Sequence, residues 1–129
     1  MNHLSLLALV LLSGCAAAPA DDPVQATSIT LLPAQSAPLS RSATLRYDRV
    51  ADSRCPTDVQ CIWAGMVSYT LTLSTARGKQ SFTLHQDAPA ATIKGLRIAI
   101  GTALPPPRRA TSDPAAPHPV TFTIHPETP

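Results

Sequence analysis

The sequence predicts an all-β domain: a small antiparallel β-sandwich, or a partly open barrel, of about six or seven strands. Three observations lead there. Apolar and polar residues alternate with period two along several segments. No window carries a helical period bounded by capping residues. Each alternating run has a single apolar face, and such faces need cover that one sheet alone cannot give. A chain of 129 residues has room for one domain.

Ahead of the domain lies a run of another kind. Leu4 to Leu12 is almost wholly apolar but falls short of the roughly 20 residues a membrane-spanning helix needs, so it reads as a secretory leader. It ends in Leu12-Ser13-Gly14-Cys15. A leucine, two small residues and a cysteine in that place resemble the lipobox of bacterial lipoprotein signals. The resemblance implies cleavage before Cys15, acylation of Cys15, and attachment of the mature protein to the membrane through lipid. Ala16, rather than an aspartate, follows the cysteine. By the same resemblance the address is the outer membrane of a bacterial envelope, with the domain facing the periplasm. Each buried methylene contributes about 0.8 kcal/mol, so two or three acyl chains together hold essentially permanently. Residues 1–14 are thus expected to be the signal peptide, 15–27 a flexible tether punctuated by Pro19 and Pro23, and 28–126 a single β domain.

The strands are expected in this order. Ser28-Ile29-Thr30-Leu31-Leu32 supplies an edge strand that Pro33 ends. Leu45 and Tyr47 alternate with Arg46 and Asp48, and Val67, Tyr69, Leu71 and Leu73 alternate with Ser68, Thr70 and Thr72. Phe82 and Leu84 alternate with Ser81, Thr83 and His85, and Gly78 in Ala76-Arg77-Gly78-Lys79 allows a hairpin between these runs. Leu96, Ile98 and Ile100, then Val120, Phe122 and Ile124, complete the set. Threonine-rich faces opposite apolar ones suit antiparallel strands solvated on one side, stacked as in an immunoglobulin-like sandwich. Between 104 and 120, Pro105-Pro106-Pro107 with Pro114, Pro117 and Pro119 make a stiff surface loop.

With Cys15 committed to lipid, Cys55 and Cys61 remain, an even number that suits an oxidising compartment. A straight strand would hold them about 20 Å apart, whereas a disulfide wants Cα atoms near 5.5 Å. The chain must double back, and Pro56-Thr57-Asp58 is turn material. The spacing fits neither a C-x-x-C redox pair nor a zinc knuckle, so the pair reads as a structural staple.

The densest segment is Asp52-Ser53-Arg54-Cys55-Pro56-Thr57-Asp58-Val59-Gln60-Cys61-Ile62-Trp63-Ala64-Gly65. It resembles a signature, D-S-R-C-P-x4-C-x-W-A-G, of a family of small bacterial lipoproteins and secreted proteins with no established activity. Trp63 shares parity with Val67, Tyr69, Leu71 and Leu73, which places it on the core face beside the staple, with Gly65 allowing a bulge or close approach. Asp52 and Ser53 can order the turn through backbone N–H groups, and Arg54 can pair with Asp52 or Asp58 or lie over a ring. The functional reading of the same residues is a rigid loop that presents Asp52, Arg54, Thr57, Asp58 and Gln60 to a partner.

Charged residues make up 14% of the chain and the net charge is +2, which excludes both a polyanion-binding surface and charge-driven disorder. No phosphate loop, zinc ligand set, catalytic triad or nucleic-acid stripe is present. Ser53 lacks a nucleophile elbow and a neighbouring histidine. His85, His118 and His125 offer imidazoles for copper or zinc, with Asp87 or Glu127, but none at i, i+2 or i, i+4 spacing. The expected function is therefore a lipid-anchored, non-enzymatic binding module, without cofactor, that meets an envelope protein or small ligand through the 55–61 loop. The alternatives are a protease inhibitor presenting that loop and a periplasmic copper or zinc carrier.

Overall fold

The computed structural model describes residues 14–16, 22–102, 104–110 and 117–128. The apolar run Leu4 to Leu12, Pro19 in the expected tether and Pro114 lie outside these. The fold is all-β, built of two antiparallel four-stranded sheets that do not close into a barrel. The strands are β1 Thr27–Leu31, β2 Ser36–Pro38, β3 Thr44–Asp52, β4 Val67–Thr75, β5 Gly78–His85, β6 Ala90–Ile93, β7 Leu96–Ile100 and β8 Val120–Pro126. One sheet has the order β1-β8-β7-β6 and the other β2-β3-β4-β5. Of the eight, β2 and β6 were not legible. Three residues, one of them Pro38, show no period, and the alanines of β6 blur one.

Alternation becomes burial as expected. Leu45, Tyr47, Val67, Tyr69, Leu71, Leu73 and Leu84 from one sheet meet Leu31, Ile93, Leu96, Ile98, Val120, Phe122 and Ile124 from the other. At roughly 25 cal/mol per Å² of apolar surface removed from water, this interface supplies the main stabilisation of the fold. The long hairpin β4–β5 turns at Ala76 and Arg77, with Gly78 at φ +114°. Asp22 to Ala26 lies against the domain: the Asp22 amide donates to Ser42 Oγ at 3.1 Å and Val24 rests on the core.

The registers define two poles. The Asp22 amide bonds to Ser42, two residues before Thr44, and Thr44 opposes Ser74, so the chain enters the domain where β3 begins and β4 ends. Asp52 opposes Val67 at the other pole, where β8 also starts, opposite Leu31. A nine-residue strand at about 3.3 Å per residue separates the poles by about 30 Å.

Candidate functional site

The site begins with an irregularity in β3. Tyr47 opposes Leu71, but Arg49 opposes Thr70, leaving Asp48 as the extra residue of a β-bulge. Asp48 is held on the outer face, where Oδ2 accepts from Thr72 Oγ1 at 2.6 Å and Oδ1 from Arg46 Nε at 2.9 Å. Beyond it the parity of the strand is reversed. Val50 pairs with Tyr69 and Asp52 with Val67, so both face the gap between the sheets. An apolar Val50 on the polar phase set by Arg46 and Asp48 was the one sequence signal for this bulge.

After Asp52 the hairpin continues as an irregular pair of arms. Ser53 N–H donates to the Met66 carbonyl at 3.0 Å, Met66 N–H to Ser53 Oγ at 3.1 Å, and Cys55 N–H to the Ala64 carbonyl at 3.1 Å. Gly65 sits at φ +65°, and a Cβ there would collide with the Ser53 carbonyl oxygen. Only glycine satisfies both the backbone conformation and the close approach. Cys55 and Cys61 are joined, their Cα atoms 5.8 Å apart, around a turn in which Val59 N–H donates to the Pro56 carbonyl at 3.3 Å.

Arg54 turns inward. Its Nε and Nη2 donate to Asp52 Oδ1 and Oδ2 at 2.9 and 2.7 Å, and Nη1 donates to the Pro105 carbonyl at 2.7 Å. The side chain is only 12% exposed. Bidentate donation from Arg54 holds the Asp52 carboxyl below its ordinary pKa, against the opposing effect of burial. Asp58 ties the same loops from the other side. It accepts from the Ala110 amide at 2.8 Å and lies 3.8 Å from Arg109, while Thr57 N–H donates to the Arg108 carbonyl at 3.0 Å. The motif loop of one sheet is thereby stitched to the proline loop of the other. Thr57 and Gln60 are exposed.

Trp63 corrects the sequence reading. It is 81% exposed, and Ile62 beside it is 93% exposed, so the only tryptophan is not a core residue. Parity fails because residues 53–66 are not a strand: counting back from Val67 crosses Gly65, whose positive φ turns the chain. The core aromatic cluster is instead Tyr47, Tyr69 and Phe122.

Beneath the stitched loops the sheets part to leave a cavity of about 450 Å³, lined by Tyr47, Val50, Val67, Tyr69, Val120, Pro105, Pro106 and Pro117, with Asp52, Arg108 and His118. Sequence reasoning flagged Asp52 here, and His118 as a metal candidate, but missed Tyr47, Val50 and Arg108 as site residues. The imidazoles are not gathered. His118 lies at this pole, His125 opposes Arg97 near the other, and His85 ends β5. Among the described residues no three His, Cys, Asp or Glu side chains come together as a metal site.

Fold and site together define a two-sheet antiparallel β-sandwich with a disulfide-braced loop pole and an open mouth. Comparison with protein-family models, with curated proteins and with solved structures found no match.

Proposed function

We propose that this is a lipid-anchored, non-enzymatic interaction module of the bacterial envelope, acylated at Cys15, whose contact surface is the disulfide loop and its apolar tip. One observation carries the reading. Asp52, Ser53, Arg54, Cys55, Cys61 and Gly65 each have a bond or a steric role within the loop, whereas Trp63 and Ile62 face solvent. Exposing a tryptophan beside an isoleucine on a braced loop gives up apolar burial, and aromatic residues so placed are the type that anchors interfaces. Polarity of the fold supports the same surface. The chain enters at the opposite pole, so a tether from Cys15 would join the domain at the end away from the loop.

The test places a photo-crosslinking residue at position 63, and separately at Lys94 near the entry pole, in the full chain in its own cells. A discrete adduct from position 63, absent from position 94 and lost on Ile62→Ser, is the expected result. Equal labelling from both poles, or none from position 63 in a folded protein, overturns the reading. Mass spectrometry of the mature amino terminus tests the acylation directly.

A further inference from the structure

We infer that the pole where the chain enters docks on an anionic lipid surface through Lys79, Lys94 and Arg41, so that the domain stands with its loop tip outward. The inference deepens the interaction reading above and rests on its anchor at Cys15.

Three separate loops bring the cations to one end. Lys79 opposes Ser74, which also opposes Thr44, so it lies in the row where β3 begins. Lys94 sits in the turn between β6 and β7 and borders one depression with Asp22, Ser42 and Thr75. Arg41 precedes β3 with its side chain 93% exposed, 3.7 Å from Asp22. Both lysines are exposed, and among the described residues neither has an ion-pair partner. The acids described at this end are already engaged, Asp22 by Arg41 and Glu127 by Thr92 Oγ1 at 2.9 Å. Arg77 lies here too but is engaged within the protein. A net charge of +2 over the whole chain excludes a broadly basic surface, yet the fold sets both of its lysines at this one end.

Apolar exposure has the opposite bias. Val59, Ile62, Trp63 and Met66 belong to the motif loop, and Val50 and Leu104 lie at or beside the mouth. Among the described residues no large apolar side chain is exposed at the entry pole. That end suits headgroups rather than acyl chains or an apolar partner.

The length of the tether makes a weak charge effect sufficient. Cys15 precedes Asp22 by seven residues, which span about 25 Å when fully extended, against about 30 Å between the poles. A domain so tied cannot invert over its own membrane, but it can lie on its side. Each basic residue near an anionic surface strengthens association about fivefold, and a tether makes that contact intramolecular. A few such gains decide orientation even where they could not hold a free protein.

The test uses the chain from Cys15 onward, coupled through that thiol to maleimide-bearing lipid in vesicles. Cys15 is the one free cysteine among the described residues. The protein is then anchored whether or not its cells acylate it. Failure here is therefore distinct from failure of the acylation, which the mass of the native amino terminus decides. On vesicles containing phosphatidylglycerol, acetylation of Lys79 and Lys94 should slow about fivefold relative to phosphatidylcholine alone, and recover in high salt. Emission from Trp63 should stay unquenched by brominated acyl chains. Arg41→Gln should lessen the protection of both lysines without moving the urea midpoint. Equal acetylation on the two vesicle types, or protection that salt leaves unchanged, overturns the proposal. Quenching of Trp63 overturns it as well, because the apolar tip rather than the basic pole would then face the lipid.

Discussion

Arg54 grips Asp52 with two side-chain bonds of 2.9 and 2.7 Å and reaches with its third nitrogen to the carbonyl of Pro105, fifty-one residues away in the chain. A pair two residues apart thus becomes a tie between loops of opposite sheets. Because the Asp52 pKa is lowered in the folded state, the unfolded chain binds the proton more readily. The stability this carboxylate contributes is present above the unfolded pKa of about 3.9 and is lost as pH falls through the folded value. Urea midpoints measured from neutral to acid pH should fall for the native chain and fall less for Asp52→Asn, which starts lower.

Tyr47 gives the opposite limb. Its pKa is raised by burial and then by Tyr69, so above about pH 10 the unfolded state ionises while the folded state does not, and stability declines with rising pH. Tyr47→Phe keeps the ring against Phe122, where the centroids are 5.4 Å apart, and removes a hydroxyl that has no hydrogen-bond partner among the described residues. It should be at least as stable at neutral pH and show a shallower alkaline loss in the same measurement.

Trp63→Ala should change unfolding free energy by less than about 0.5 kcal/mol, as a substitution on an exposed side chain does. Phe122→Ala, at a fully buried site, should cost about 3–5 kcal/mol. Denaturant unfolding of the two variants side by side checks the placement of both residues.

Gly65→Ala should destabilise by about 3 kcal/mol, since it combines a positive φ with a collision against the Ser53 carbonyl. Gly78→Ala also meets a positive φ but open space, and should cost only about 1 kcal/mol. Thermal unfolding of the pair separates backbone strain from steric overlap.

Breaking the staple should cost about 2 kcal/mol through the entropy of the small loop it closes. Cys55→Ser and Cys61→Ser are expected to lose the same amount, and the double variant no more than either. Additive losses in equilibrium unfolding would contradict the bond.

The sequence by itself determined what depends on neighbours in the chain. The alternation of Val67 to Leu73 decided which face of β4 is buried, Gly78 placed its hairpin, and the spacing of Cys55 and Cys61 required a doubled-back loop. Period two is a local rule, and it holds wherever the strand is regular. It failed at two points, and both shape the site. Asp48 adds a residue that turns Val50 and Asp52 inward, and Gly65 breaks the count that would have buried Trp63. Only the tertiary structure decided these, because a bulge or a left-handed residue takes its meaning from the strand opposite it. It alone decided, too, that the proline loop is bonded to the motif and that Tyr47, whose hydroxyl has no hydrogen-bond partner among the described residues, lines a cavity. Those facts depend on residues fifty and more positions apart meeting across two sheets, and no local period encodes such a meeting.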